Sequence, residues 1–200
     1  GQRYYRAMCA AVNYAFANRQ MIAHWIRDVF ARVLGTSQGM DQIYDVCHNV
    51  AKVEEHDAGG RSKRLVVHRK GATRSFGPGR PDVPGVYRAV GQPVIIPGSM
   101  GTASFLLAGT KEAEALSFGS TAHGAGRVMS RHEALRRFRG EKIRDDLARR
   151  GIELKTTSLK GVAEEASEAY KDVDEVVRVS NEVGLGRVVA KLVPMGVMKG

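Results

Sequence analysis

The sequence predicts an α+β fold, with mixed sheets and flanking helices. Helical and extended stretches alternate without a fixed period, which argues against a regular βαβ repeat. No internal repeat or low-complexity tract runs through the 200 residues. The apolar fraction, 43%, is that of an ordinary folded chain and excludes wholesale disorder or a collagen-like fibre.

Residues 3–33 read as one long helix. Tyr5, Met8, Cys9, Val12 and Phe16, then Met21, Ile22, Trp25, Ile26 and Val29, recur mostly at three- and four-residue spacing. The polar run Asn18-Arg19-Gln20 interrupts that face and predicts a kink, and Gly35 predicts a stop. Residues 42–47 read as a short strand. Residues 57–63 read as a hairpin-like loop joining Asn49–His56 to Leu65–His68. Residues 71–91, with Pro78, Pro81 and Pro84, read as an ordered excursion. Strands are expected at Pro93–Ile96 and Ser104–Ala108, around the tight loop Pro97–Gly101. Residues 130–150 read as a single basic helix, 152–156 as a strand, 173–183 as a helix and 187–192 as a final strand.

Lys and Arg total 31 against 21 acidic residues, a net charge of +10. Such an excess points to an anionic partner, most simply a nucleic acid or a nucleotide. Half of it lies between Arg127 and Arg150, where nine Lys/Arg face four Asp/Glu. No apolar run approaches the roughly 20 residues that span a bilayer, so no membrane partner is expected. Two cysteines, Cys9 and Cys47, are too few for a disulfide scaffold and read as reduced thiols of a cytoplasmic chain. The chain opens at Gly1 on residues that already read as helix, and is expected to be part of a longer protein.

Four constellations carry chemistry. In His123-Gly124-Ala125-Gly126-Arg127, glycines let a ligand approach the backbone, and their amides suit an anion. Arg127 and Arg131, four apart, are expected to face a phosphate together. His123 suits a nucleophile, a general acid/base or a metal ligand; a glycine-rich turn with a hydrogen-bonded histidine is the alternative. Asp45-Val46-Cys47-His48-Asn49 presents an imidazole to a metal or phosphate, although one histidine does not make a metal site. His68-Arg69-Lys70-Gly71-Ala72-Thr73-Arg74 suits phosphate contacts or a solvated basic loop. Pro97–Ser104 is a Gly/Ser loop able to contact a base or ribose, or a plain turn, and lacks the Lys-Ser/Thr pair of a Walker loop. His24 reads as packed or capping, His56 and His132 as exposed, and Glu164-Glu165 as facing solvent.

Together these segments resemble the RtcB family of RNA ligases. The resemblance rests on Tyr44–Asn49, His68–Arg74, Gly91–Thr102, His123–Arg127, Glu164-Glu165-Ala166, Ala169–Val173 and Lys199-Gly200, and spans essentially the whole chain. It implies an RtcB-like fold, with residues 1–200 forming the C-terminal part of a single catalytic domain. It implies a GTP- and manganese-dependent joining of RNA 2′,3′-cyclic phosphate or 3′-phosphate ends to 5′-hydroxyl ends, as in tRNA splicing and RNA repair. The partners would be tRNA halves or broken RNA, GTP and, left open, an activating protein. His123 would be the guanylylated nucleophile and His48 a manganese ligand. Asn49, Pro97, Gly98, Ser99, Met100, Ser104, Gly124, Ala125, Gly126, Tyr170 and Lys199 would surround the nucleotide. Lys70, Arg127 and Arg131 are assigned to RNA phosphates on charge. The family's other metal ligands lie upstream of the matched region, so little or no ligation is expected of these residues alone. The alternative is a non-catalytic RNA- or nucleotide-binding module.

Overall fold

The computed structural model describes residues 1–35 and 39–199. They fall into two compact units, Gly1–Lys70 and Gly71–Gly200. Mixed helices and small sheets make the predicted α+β class.

The first unit contains helix α1 (Gln2–Leu34) and the hairpin of β1 (Asn49–Asp57) and β2 (Ser62–Lys70). α1 runs unbroken through Asn18-Arg19-Gln20, so the predicted kink is absent, and it ends at Gly35 in the left-handed region (φ 62°). Arg19 accounts for the continuity. Its Nε donates to Asp45 Oδ1 at 2.7 Å and its guanidinium stacks on Phe16, so this polar position faces protein. Tyr5, Met8, Cys9, Val12 and Phe16 are half-buried as predicted, but Met21, Ile22, Trp25, Ile26 and Val29 are exposed. His24 is exposed too and meets Asp28 one turn on, rather than packing. Residues 42–47 form no strand; Asp45 and Cys47 are held by Arg19 instead of by a neighbouring ladder.

The hairpin follows the predicted turn, with Asn49 opposite Lys70 and Asp57 opposite Ser62. Gly59 and Gly60 take positive φ in the loop, and the Asp57 carboxylate accepts from the Gly60 N–H at 2.8 Å. One face of the hairpin buries charge. Arg69 Nη1 and Nη2 donate to the two Glu54 oxygens at 2.8 and 2.9 Å, and His56 Nε2 lies 2.9 Å from Glu54 Oε2. All three side chains are 3% exposed or less, so the expectation of an exposed His56 is corrected. The cause is its strand register, which puts it on the same face as Glu54.

In the second unit, β4 (Pro93–Ile96), β5 (Ser104–Ala108) and β8 (Arg187–Leu192) form an antiparallel sheet in that order, all three at predicted positions. Val94, Ile96, Phe105 and Leu107 project into a core with Ala125, Val173 and Val177. β3 (Ala72–Arg74) pairs antiparallel with β6 (Ser120–Ala122), and β7 (Glu153–Thr156) pairs parallel with β9 (Gly196–Lys199). Helix α2 (Lys111–Ser117) precedes β6, and α5 (Leu159–Glu164) and α6 (Val173–Glu182) follow β7.

The predicted basic helix over 130–150 is two helices, α3 (Arg131–Arg137) and α4 (Gly140–Arg149). Phe138 and Arg139 between them are extended. The break brings Gly140 so close to α5 that a Cβ there would stand 2.1 Å from the Leu159 carbonyl oxygen. α3 starts on a capping sequence: Ser130 Oγ accepts from the Glu133 N–H at 3.1 Å. Met100, Leu147, Ile152 and Val162 make a second core under these helices.

Thr121, in the middle of β6, is buried, and its hydroxyl finds no hydrogen-bond partner among the described residues. An unsatisfied buried hydroxyl costs about 1–3 kcal/mol. Thr121→Val is therefore expected to leave the melting temperature unchanged or raise it. A cooperative thermal scan checks this, and a clear fall in melting temperature would show that the hydroxyl is satisfied.

Candidate functional site

The site in the second unit is assembled from three loop segments. The β3–β6 ladder pairs Ala72 with Ala122, so Gly71 and His123, one residue beyond each, emerge side by side. Gly71 has φ +71°, and a Cβ there would lie 3.6 Å from Cδ2 and Nε2 of His123. The half-buried imidazole thus lies along a stretch of backbone bearing no side chain.

The next residue, Gly124, packs on the loop leaving β4. A Cβ at Gly124 would sit 3.3 Å from the Pro97 carbonyl oxygen, so the two loops meet at backbone distance. Ala125 turns its methyl into the first core and Met100 its side chain into the second. What these two offer a ligand is main chain. Between β4 and β5 the loop is tied by its own hydroxyls. The Gly98 N–H donates to Ser104 Oγ at 3.2 Å and the Ser99 N–H to Thr102 Oγ1 at 2.7 Å. Ser99 Oγ donates to Ser167 Oγ at 2.8 Å, reaching the segment before Tyr170.

That segment joins the His123 loop in turn. The Lys171 N–H donates to the Gly126 carbonyl and the Val128 N–H to the Ala169 carbonyl, both at 2.9 Å. Pro97–Ser104, Gly124–Gly126 and the Ser167–Lys171 segment are therefore linked to one another within one unit. Lys199 closes the group from β9, near enough to act on the charge of Glu165.

Glu165 is the residue that sequence reasoning missed. Its side chain is 15% exposed, which corrects the expectation that it faces solvent. Arg127 Nη1 donates to Glu165 Oε2 at 3.3 Å, Arg131 Nε to Oε1 at 3.0 Å, and the Tyr170 hydroxyl also bonds Oε2. Burial opposes ionisation of this carboxyl, but Tyr170, Arg131 and Lys199 outweigh it and hold it below the ordinary carboxylate range. Burial and the same carboxylate push the Tyr170 phenol above its usual value, against Arg127. The signal available in the sequence was the pairing of Glu164-Glu165 with a distant Arg127-x-x-x-Arg131, which spacing alone does not connect.

Arg127 is heavily engaged. Its Nε donates to the Met129 carbonyl, Nη2 to the Glu164 carbonyl, and Nη1 also to the Tyr170 hydroxyl, at 2.8 to 3.0 Å. It also lies over the Tyr170 ring, 4.9 Å from the centroid. Arg131 differs: its side chain is 62% exposed.

His48 and Asn49 belong to the first unit. Both are exposed and, with Cys47 and Arg19, line a cavity of about 270 Å³ whose other wall is Met8, Ala11, Val12 and Ala15 of α1. Lys70 lies exposed at the end of β2, opposite Asn49. Among the described residues no three His, Cys, Asp or Glu side chains converge as a metal-binding group. His48 supplies one imidazole, and a single ligand does not hold a divalent ion. The described residues therefore do not by themselves fit a manganese ion. No helix among them is long and apolar enough to cross a membrane.

The family model described as "tRNA-splicing ligase RtcB" matches residues 1–200. Among curated relatives, the tRNA-splicing ligase RtcB of Pyrococcus furiosus is 56% identical across all of this chain, which covers 21% of that protein. Those of Thermococcus kodakarensis and Archaeoglobus fulgidus are each 54% identical across the whole chain, which covers 42% of each. The chain thus spans between about a fifth and two fifths of the length of these relatives. With the predicted motifs in place and this identity sustained from end to end, the chain belongs to the RtcB family.

Proposed function

We propose that this chain is part of an RNA ligase that joins a 2′,3′-cyclic phosphate or 3′-phosphate end to a 5′-hydroxyl end. His123 is the residue that GTP guanylylates. The supporting observation is the meeting of the His123–Gly126 loop with Pro97, at the 3.3 Å that a Cβ on Gly124 would reach. Such an approach leaves main-chain groups and small side chains around the imidazole, which suits a bulky nucleotide.

The chemistry follows from the imidazole. In its neutral form an imidazole offers a nitrogen lone pair to the α-phosphorus of GTP. The new P–N bond forms as the bond to the β-phosphate oxygen breaks, and pyrophosphate leaves. A 2′,3′-cyclic end is first opened by water, which breaks the 2′-O–P bond and leaves a 3′-phosphate; the guanylate then passes to that 3′-phosphate, returning the lone pair to His123. Attack by the 5′-hydroxyl forms the new phosphodiester and expels GMP. In this reading Tyr170 and Lys199 line the guanine, and Ser99 and Ser104 with the backbone of Pro97–Met100 hold the rest of the nucleotide. Manganese, with His48 as one ligand, is the ion the family resemblance implies.

Intact-mass analysis of the full-length protein incubated with GTP tests this. The expected result is one guanylate, mapped by peptide sequencing to His123. A label on another side chain, or none, overturns the proposal. RNA binding without any label would favour the non-catalytic binding module.

A further inference from the structure

The two arginines near Glu165 share a carboxylate but not a role. Arg127 spends Nε, Nη1 and Nη2 on Met129, Glu165, Tyr170 and Glu164. A guanidinium held on all three nitrogens is a strut between the His123 loop and the segment before Tyr170. Arg131 meets Glu165 through Nε, and no bond joins either of its Nη atoms to another described residue. A guanidinium anchored through Nε keeps its Nη edge parallel to a fixed direction, the geometry that accepts two oxygens of a phosphate.

We propose that Glu165 is a positioning residue: it aims Arg131 at an RNA phosphate while the same carboxylate fixes Tyr170, leaving Arg127 to the scaffold. The inference rests on the ligase reading for the identity of the anion. It makes Arg131, and not Arg127, the phosphate contact of the pair. Glu165 touches neither RNA nor nucleotide. It restricts the rotamers of a long, exposed side chain before the phosphate arrives, so less freedom is lost on binding.

Charge and positioning predict opposite signs, which makes the test sharp. Removing a carboxylate near a phosphate site tightens binding if charge alone matters. If Glu165 aims Arg131, Glu165→Gln weakens it. The full-length protein is titrated with a 3′-phosphorylated oligoribonucleotide by fluorescence anisotropy at several salt concentrations. Arg131→Ala is expected to weaken binding about tenfold and to lower the salt slope by about one. Glu165→Gln is expected to weaken it about three- to tenfold, and the double variant to bind no worse than Arg131→Ala alone. Tighter or unchanged binding in Glu165→Gln, or losses that multiply in the double variant, overturns the assignment. Should Glu165→Gln fail to melt cooperatively, Glu165→Asp, which keeps the charge but shortens the reach, is run through the same cycle with the same expected non-additivity. GTP labelling of the unsubstituted protein without RNA is measured in parallel. Absence of that label counts against the ligase reading, whereas the binding cycle alone decides the role of Glu165.

Discussion

His123→Ala in the full-length protein is expected to eliminate guanylate labelling and to lower RNA sealing by on the order of 10³–10⁴-fold or more. On the proposed reading His123 itself forms the P–N bond, and proximity alone does not replace a covalent nucleophile. The backbone around position 123 is set by the β3–β6 ladder and by the bonds from Lys171 and Val128, none of which needs the imidazole. Affinity for a 3′-phosphorylated RNA is therefore expected to survive. Gel assay of sealing and anisotropy on the same preparation separate the two quantities. Sealing that persists at wild-type rate would show that the reaction bypasses this residue.

The second large effect is on stability and belongs to the hairpin of the first unit. Glu54 and Arg69 form a bidentate pair, with bonds of 2.8 and 2.9 Å, and their side chains are only 3% and 1% exposed. Removing one partner takes away the bidentate bonds and leaves a buried charge with much of its compensation gone, in a medium that solvates it poorly. Arg69→Met alone is expected to destabilise the protein by about 3–5 kcal/mol, as is Glu54→Leu alone. The paired replacement Glu54→Leu with Arg69→Met is expected to be far milder than either single change, because it removes both charges together. Denaturant melts of the four proteins test this. Additive losses across the cycle would mean that the two groups are stabilised independently. Since β1 begins at Asn49 and β2 ends at Lys70, disturbing this pair is also expected to loosen the His48-Asn49 corner.

The elements legible in the sequence were those whose periodicity or turn chemistry was strong within one window. The hairpin showed as two extended runs about Ala58-Gly59-Gly60, and the β4–β5 pair as Val/Ile/Leu runs about Pro97–Gly101. The strand expected at residues 42–47 had the composition but is not formed; Arg19 holds Asp45 and Cys47 instead. The basic stretch 130–150 contains no proline to mark a break. Its interruption at Phe138 and Arg139 comes from the close packing of Gly140 on Leu159, a contact distant in sequence. β3 and β6 are three residues each, too short for an alternation to register. α2 did carry a signal, since Thr110 caps it and Glu112 and Glu114 occupy its first turn. At the candidate site, the motif residues could be named from the sequence, while the joint dependence of Arg127, Arg131 and Tyr170 on Glu165 emerges only in three dimensions.

The parallel pairing of β7 with β9 has a kinetic corollary. Leu154 meets Val197 only after the intervening chain, including α5, α6 and β8, has been traversed. Closing so long a loop is entropically slow, and no local turn assists it. In refolding from denaturant, the hairpin of β1 and β2 should gain amide protection early, and the strand bearing Lys199 late. Pulsed hydrogen exchange would then find the β7–β9 pair to be the last portion of the second unit to acquire its native arrangement.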